Sequence, residues 1–412
     1  MMMLLSSKTV ERLFNGIYQS MEWTEWKKRG RAREGRPSRA DMFFRSLNYR
    51  MLVPVLALVI IGLVVLNTVL STGYGAGMDY PMNFYKQIAA VLIGLMASFV
   101  ICLFDPPAMR LVGGIIYTVS LFLLVLVKVD GYRALTIADS WLRVPLFGSF
   151  QPSELSKIGV AMAAGPVFDG MNSGNLSKPQ GFARLALIYG VPFLLIMTEP
   201  DFGTSSVLIF MFLCTLFVWG VRWRTIILSS MGMVFVLIPV TWRFILSQTQ
   251  KDRILTFFFR GHDKTASYHI NQSLAAVSSG GLFGNRAGEN VSVPVKESDF
   301  IFTAISEQFG LIGTTLVILL ALYLVIHTLR LAGKIADVSP GEAYVMVALI
   351  ASLTFHFVEN IGMTIGFMPI TGIPLPFMSY GGSSMISNFI LLGVLLNISM
   401  NHQDLWSNKT GS

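Results

Sequence analysis

The chain has 412 residues, of which 53% are hydrophobic and 13% charged, with a mean hydropathy of +0.62 and a formal net charge of +8. This composition excludes a soluble globular domain and predicts an all-α, polytopic membrane protein. The basic excess would suit nucleic acid or anionic lipid, and its placement ahead of the first long apolar run reads as a membrane-topology signal touching the anionic inner leaflet, with no nucleic-acid partner.

Residues 1–50 form a basic N-terminal segment that holds eleven Lys and Arg, including Lys27, Lys28, Arg29, Arg31, Arg33, Arg36 and Arg39, against five acids. Trp23 and Trp26 flank the basic run, and Leu13, Ile17 and Met21 stand at roughly helical spacing. Two readings are open for it, an interfacial amphipathic helix and a disordered tail. The opening Met-Met-Met-Leu-Leu is too short for the apolar region of a cleavable signal.

A span needs about 20 predominantly apolar residues. Ten such runs are predicted in residues 51–400, at 51–71, 86–104, 111–128, 154–168, 183–198, 203–220, 225–246, 301–327, 343–365 and 378–400, followed by a tail of residues 401–412. Arg110, Lys178, Arg184, Arg222, Arg224, Arg330 and Lys334 then share the side of the N-terminal segment, so the positive-inside rule predicts both termini in the cytoplasm. The same parity places residues 129–153, 199–204, 247–300 and 366–378 on the outer side. Cys102 and Cys214 fall within spans and read as small core residues.

No Gly-rich phosphate loop, His-Glu-x-x-His or Cys-x-x-Cys motif is present, which argues against a soluble-type nucleotide enzyme or a zinc hydrolase. The chemistry-bearing residues concentrate on the outer side. Trp141 precedes Gln151-Pro-Ser-Glu-Leu-Ser-Lys157, where Glu154 and Lys157 lie three apart on one helix face. They can pair simply to secure the helix, or Lys157 can offer its charge to a phosphate with Glu154 holding it in place. Arg253 is a second candidate phosphate ligand.

The loop of residues 247–300 is long enough to suggest function, and it is predicted to fold back against the membrane surface. Its Ser278-Ser-Gly-Gly-Leu-Phe-Gly284 run either makes turns or lets backbone approach a bulky ligand. Asp299 ends the loop just before an apolar helix, a position that suits an N-cap as well as a catalytic carboxylate. Glu307 shares that helix's face, and burying it calls for a partner or a polar cavity. His356 and Glu359, three apart within the ninth span, invite the same question. In Gly372-Ile-Pro-Leu-Pro-Phe-Met-Ser-Tyr-Gly-Gly-Ser-Ser384, helix packing explains the glycines as well as substrate contact through Ser379 and Tyr380 does.

Taken in order, Gln151-Pro-Ser-Glu154 with Lys157, Glu199-Pro-Asp-Phe-Gly-Thr204, Ser298-Asp-Phe-Ile-Phe302 and Asn360-Ile-Gly-Met with Gly372–Ser384 resemble the SEDS family (shape, elongation, division and sporulation), from about residue 50 to 400. The resemblance implies a peptidoglycan glycosyltransferase that polymerises lipid II, inverts the anomeric carbon, releases undecaprenyl pyrophosphate and works beside a class B penicillin-binding protein. It also implies that Asp299 is the essential loop aspartate and that Glu154, Lys157, Trp141 and Gln151 line the site, with a divalent cation such as Mg2+ or Mn2+ as a candidate aid to the pyrophosphate. The sequence departs from the family pattern at Glu297-Ser298, at Glu307-Gln308 and at Ser140. The Asn360 and Gly372 motifs resemble RodA more than FtsW, which implies a role in elongation. The rival class is a lipid II flippase, which would lean on mid-membrane polar groups such as His356 and Glu359.

Overall fold

The computed structural model describes residues 39–71, 82–130, 140–144, 148–199, 201–244, 264–285 and 291–406, with positions 248, 251–252, 255–256 and 259 between them. Arg253 and most of the basic N-terminal segment lie outside the described residues.

The elements run α1 (Arg39–Ser46), α2 (Tyr49–Ser71), α3 (Met82–Cys102), α4 (Pro106–Asp130), β1 (Leu142–Val144), β2 (Gly148–Phe150), α5 (Pro152–Asn172), α6 (Lys178–Met197), α7 (Phe202–Trp219), α8 (Trp223–Phe244), α9 (Lys264–Ser279), α10 (Ile301–Ala336), α11 (Pro340–Thr364) and α12 (Gly382–Asn401). Among the described residues, eight helices are long and apolar enough to cross a membrane: α2, α3, α4, α6, α7, α10, α11 and α12. The chain is a multi-pass membrane protein. Helices α5 and α8 stand where the other two spans were predicted.

Two short strands interrupt the all-helical plan. They pair antiparallel as a hairpin with Leu142 opposite Phe150. Pro152 then starts α5 at a position where a missing N–H costs no helical bond.

The interior is built around α11 and α12, which are mostly buried, while α4 turns most of its surface outward. Helix α11 packs on α5, α7 and α10, and α12 packs on α3. Leu349, Ile350, Met346, Leu395 and Val394 are fully enclosed there. A bilayer supplies no hydrophobic drive between helices, so close packing and satisfied polar groups hold this bundle together. Asn397 shows the second device, donating to Ile101 O and Phe104 O at the end of α3.

Helix α10 is continuous in outline but broken at Gly310, whose φ of +62° is left-handed. The break frees the amides of Leu311 and Ile312, which donate instead to Gly281 O at 2.9 Å and Leu282 O at 3.3 Å, while Asn285 N donates back to Glu307 O. A Cβ at Gly310 would stand 2.5 Å from Gly284 N and Leu282 O, and one at Gly284 2.2 Å from Gln308 O. Gly280 and Gly284 therefore give close approach between two stretches of this chain's own backbone. Within the loop of residues 247–300, α9 packs along α10.

Candidate active site

The polar residues collect at the Asp299 end of the bundle, where four segments meet: residues 291–300 before α10, residues 366–381 between α11 and α12, and the N-termini of α5 and α7. Phe300, whose side chain makes no capping hydrogen bond, occupies the cap position of α10, and Asp299 stands one residue before it.

Backbone bonds hold Asp299 instead. The carbonyls of three consecutive residues are taken by donors from the other side of the site. Tyr380 N donates to Glu297 O at 2.9 Å, Ser379 Oγ to Ser298 O at 2.6 Å, and Asn360 Nδ2 to Asp299 O at 2.8 Å. The same Asn360 amide donates to Ile373 O at 2.8 Å. Gly372 sits against the carboxylate. Its φ is +77°, and a Cβ there would stand 3.3 Å from Asp299 Oδ2. Among the described residues two non-glycines carry positive φ, Val295 at 55° and Phe377 at 64°, and both lie in these two segments. Strain of that kind persists only where the surroundings over-determine it, as functional sites do.

Ser379 Oγ also accepts from Leu375 N, and the buried Gln87 of α3 donates to Ser379 O and accepts from Gly381 N. The Tyr380 hydroxyl donates to Asn83 Oδ1 at 3.1 Å, and burial followed by the nearby Glu297 charge raises the phenol pKa above its ordinary value. Ser379 and Tyr380 thus hold the segment in place through bonds within the protein.

Lys157 is buried, and an ammonium can only donate. It donates to Glu154 Oε1 at 2.8 Å and to His356 Nε2 at 2.7 Å. His356 is therefore the tautomer with hydrogen on Nδ1, which faces Pro374 O at 3.4 Å. Through His356 the ion pair of α5 reaches the same 366–381 segment that supports Asp299. Glu359, one turn along, accepts from Thr371 Oγ1 at 3.0 Å.

Asp201 is the N-cap of α7. Its carboxylate accepts from Thr204 N at 3.0 Å, Thr204 Oγ1 at 2.8 Å and Gln151 Nε2 at 2.8 Å. Burial raises its pKa against the lowering effect of the Thr204 bonds, and the charges of Glu154 and Lys157 act on it. Gln151 N in turn donates to Ser383 Oγ, which ties α5 to the start of α12. Trp141 is half-buried just ahead of β1, beside Ser140, whose hydroxyl donates to Glu199 O. Glu199 is 1% exposed, and among the described residues neither carboxylate oxygen has a hydrogen-bond partner. Burial pushes its pKa to about 8, with Lys128 pulling down and Asp201 pushing up.

Glu307 is buried in an ion pair with Lys296, whose ammonium also donates to Val291 O, and its other oxygen accepts from Val291 N at 2.9 Å. It braces the 291–300 segment from below. Among the described residues no three His, Cys, Asp or Glu groups come together to hold a metal ion.

This arrangement can support chemistry in which a carboxylate meets a hydroxyl while a cation meets an anion. A family model described as "Cell cycle protein", covering FtsW, RodA and SpoVE, matches residues 49–404. The chain belongs to the SEDS family.

Among its SEDS relatives, Stage V sporulation protein E of Bacillus subtilis is 33% identical over 364 residues, covering 84% of this chain and 97% of that protein. Peptidoglycan glycosyltransferase MrdB of Escherichia coli K12 is 30% identical, covering 84% and 92%. Of solved structures, a chain of a peptidoglycan synthase complex that coordinates polymerization and crosslinking is similar at a TM-score of 0.72 and 26% identity, covering 88% of this chain and 99% of that one. The rod shape determining protein RodA of Thermus thermophilus is similar at 0.63 and 26%, covering 88% and 98%.

Sequence reasoning singled out Asp299, Glu154, Lys157, Gln151, Ser379, Tyr380, Trp141 and Glu307, and the structure puts the first six into one connected network. It missed Asn360, Gln87 and Asp201 as parts of that network. A buried amide inside an apolar span was the available signal for Asn360 and Gln87.

Proposed function

We propose that the chain is a peptidoglycan glycosyltransferase that polymerises lipid II into glycan strands and releases undecaprenyl pyrophosphate. The observation that carries this reading is the mounting of Asp299: three carbonyls in a row are bonded, and the carboxylate itself rests against a glycine. The names of the relatives and of the similar complex support the same activity.

In this reading the acceptor sugar's 4-hydroxyl attacks the anomeric carbon of the donor, and the bond from that carbon to the pyrophosphate oxygen breaks with inversion. Asp299 takes the hydroxyl proton or orients the acceptor. Lys157 faces the departing pyrophosphate with the N–H that Glu154 and His356 leave over, and Arg253 is a second phosphate contact. Trp141 and Gln151 line the donor side. A divalent cation such as Mg2+ or Mn2+, held between a carboxylate and the phosphates of the substrate, would share the charge on the leaving group, a mode that needs no cluster of three protein ligands.

Both termini lie in the cytoplasm in this proposal, with Asp299 at the outer rim, and a class B penicillin-binding protein is the partner. The RodA-like Asn360 and Gly372 motifs support a role in elongation over division or sporulation.

The test is glycan polymerisation from purified lipid II, with and without a class B transpeptidase, comparing wild type and Asp299→Asn. Wild type should make glycan, and the variant should lose at least about 10²-fold in rate. Normal chains from the variant would remove Asp299 from the chemistry. If neither form polymerises while lipid II crosses vesicles, the chain is a flippase.

A further inference from the structure

Asn360 stands in α11, fully enclosed, with both donor directions of its amide nitrogen used on backbone carbonyls: Asp299 O and Ile373 O, each at 2.8 Å. Two carbonyl acceptors leave no ambiguity about which end of the amide faces them. Its oxygen, Oδ1, is buried and has no hydrogen-bond partner among the described residues. An enclosed amide with an unsatisfied oxygen is a poor choice for stability alone, since the lost hydration of that oxygen is not recovered. Such a group is retained for what its other end does.

That other end joins two segments distant in sequence. One carries Asp299, and the other carries Gly372, which abuts the carboxylate. Asn360 is the side chain that fixes their spacing at the level of Asp299 itself. Ser379 acts one residue earlier on Ser298 O, and Tyr380 N two residues earlier on Glu297 O.

We propose that Asn360 is a positioning residue: its amide sets the distance between the Asp299 backbone and the Gly372 segment and so aims the carboxylate at the sugar hydroxyl. The inference rests on the reading of Asp299 as the reacting carboxylate. Without the amide the backbone of Asp299 gains freedom on one side only, and a displacement of about 1 Å is enough to cost a reaction on the order of 10²-fold in rate.

Asn360→Ala and Asn360→Ser, with Ser379→Ala and Asp299→Asn in parallel, are purified as monodisperse protein and assayed for lipid II polymerisation per folded molecule. Both Asn360 variants should lose about 10²-fold in kcat, with the KM for lipid II changed by less than about threefold, and Ser379→Ala should shift kcat the same way by less. A purely structural Asn360 predicts a lowered unfolding temperature with kcat per folded molecule unchanged, and that result overturns the proposal. So does a loss that appears in KM at constant kcat, which would make Asn360 a substrate-binding residue. Should Asn360→Ala fail to fold, Asn360→Ser, which keeps a donor, decides by the same split. Normal polymerisation by Asp299→Asn would strike the reading of the site. An inactive Asp299→Asn beside a fully active Asn360→Ser would strike this inference alone.

Discussion

Asp201 and Asp299 each stand just ahead of an apolar helix and look alike in the sequence, yet the fold uses them in opposite ways. Asp201 is spent locally, since its oxygens accept from Thr204 N, Thr204 Oγ1 and Gln151 and close the first turn of α7. Asp299 sits one residue farther from its helix, with Phe300 in the capping position, and the protein bonds its carbonyl and those of its two neighbours. The bonds that fix Asp201 end on its carboxylate, and those that fix the Asp299 stretch end on its carbonyls. A short polar side chain before a helix therefore says little about function until the bonds of its surrounding backbone are known.

The contrast should break first at Asp299→Asn, which keeps shape and packing while removing the charge. Polymerisation should fall by at least about 10²-fold with the unfolding temperature nearly unchanged. An equal loss of activity from Asp201→Ala, per folded molecule, would erase the distinction between the two residues.

Lys157→Met tests the partner across the site. It leaves Glu154 buried without its cation, so the variant should be destabilised by about 3–5 kcal/mol, as broken buried ion pairs are, and Glu154→Gln in the same chain should recover part of that. Thermal unfolding in detergent reads both, and no recovery would mean the pair is not coupled as the geometry implies.

Asp201→Ala removes an N-cap and should cost about 0.5–2 kcal/mol in the same assay. A neutral result would show that Gln151 and the hairpin hold α7 without it.

The effect of Glu199 is visible only against pH. Its folded pKa of about 8 lies above the ordinary carboxylate value, so between the two the folded chain holds a proton that the unfolded chain has released. Stability contributed by this group is full at pH below the ordinary value and is lost as pH rises toward 8, with a slope of up to about 1.4 kcal/mol per pH unit. Glu199→Gln should flatten that slope in unfolding scans from pH 5 to 8. An unchanged slope would place the titration elsewhere.

Much of the helical plan was legible because a bilayer demands long apolar runs. The predicted span at 51–71 against α2 at Tyr49–Ser71, and that at 203–220 against α7 at Phe202–Trp219, differ by a residue or two. The run that begins at 111 missed the start of α4 at Pro106, where proline opens a helix before hydropathy rises. Helix α10 continues past 327 to Ala336 because Arg330 and Lys334 have apolar stems and good helix propensity, which a hydropathy reading discounts.

The break at Gly310 was illegible, since a lone glycine in an apolar run is usually tolerated. Of the site, Glu154 with Lys157 could be read from their spacing. Whether Asp299 caps or reacts could not, because both uses share one pattern. The Asn360 amide was hidden for a different reason: its acceptors are backbone carbonyls, and no residue type at those positions announces them.

The turn that repairs the break in α10 has a further effect. Its carbonyls at Gly281 and Leu282 point inward to Leu311 and Ile312, while the side chains of Leu282 and Phe283 stand 60% and 65% exposed. Apolar side chains this exposed gain by burial among acyl chains rather than in water. Burial of those tips in hydrocarbon would tie the turn, and with it the half-helix that carries Glu307, to one depth in the membrane.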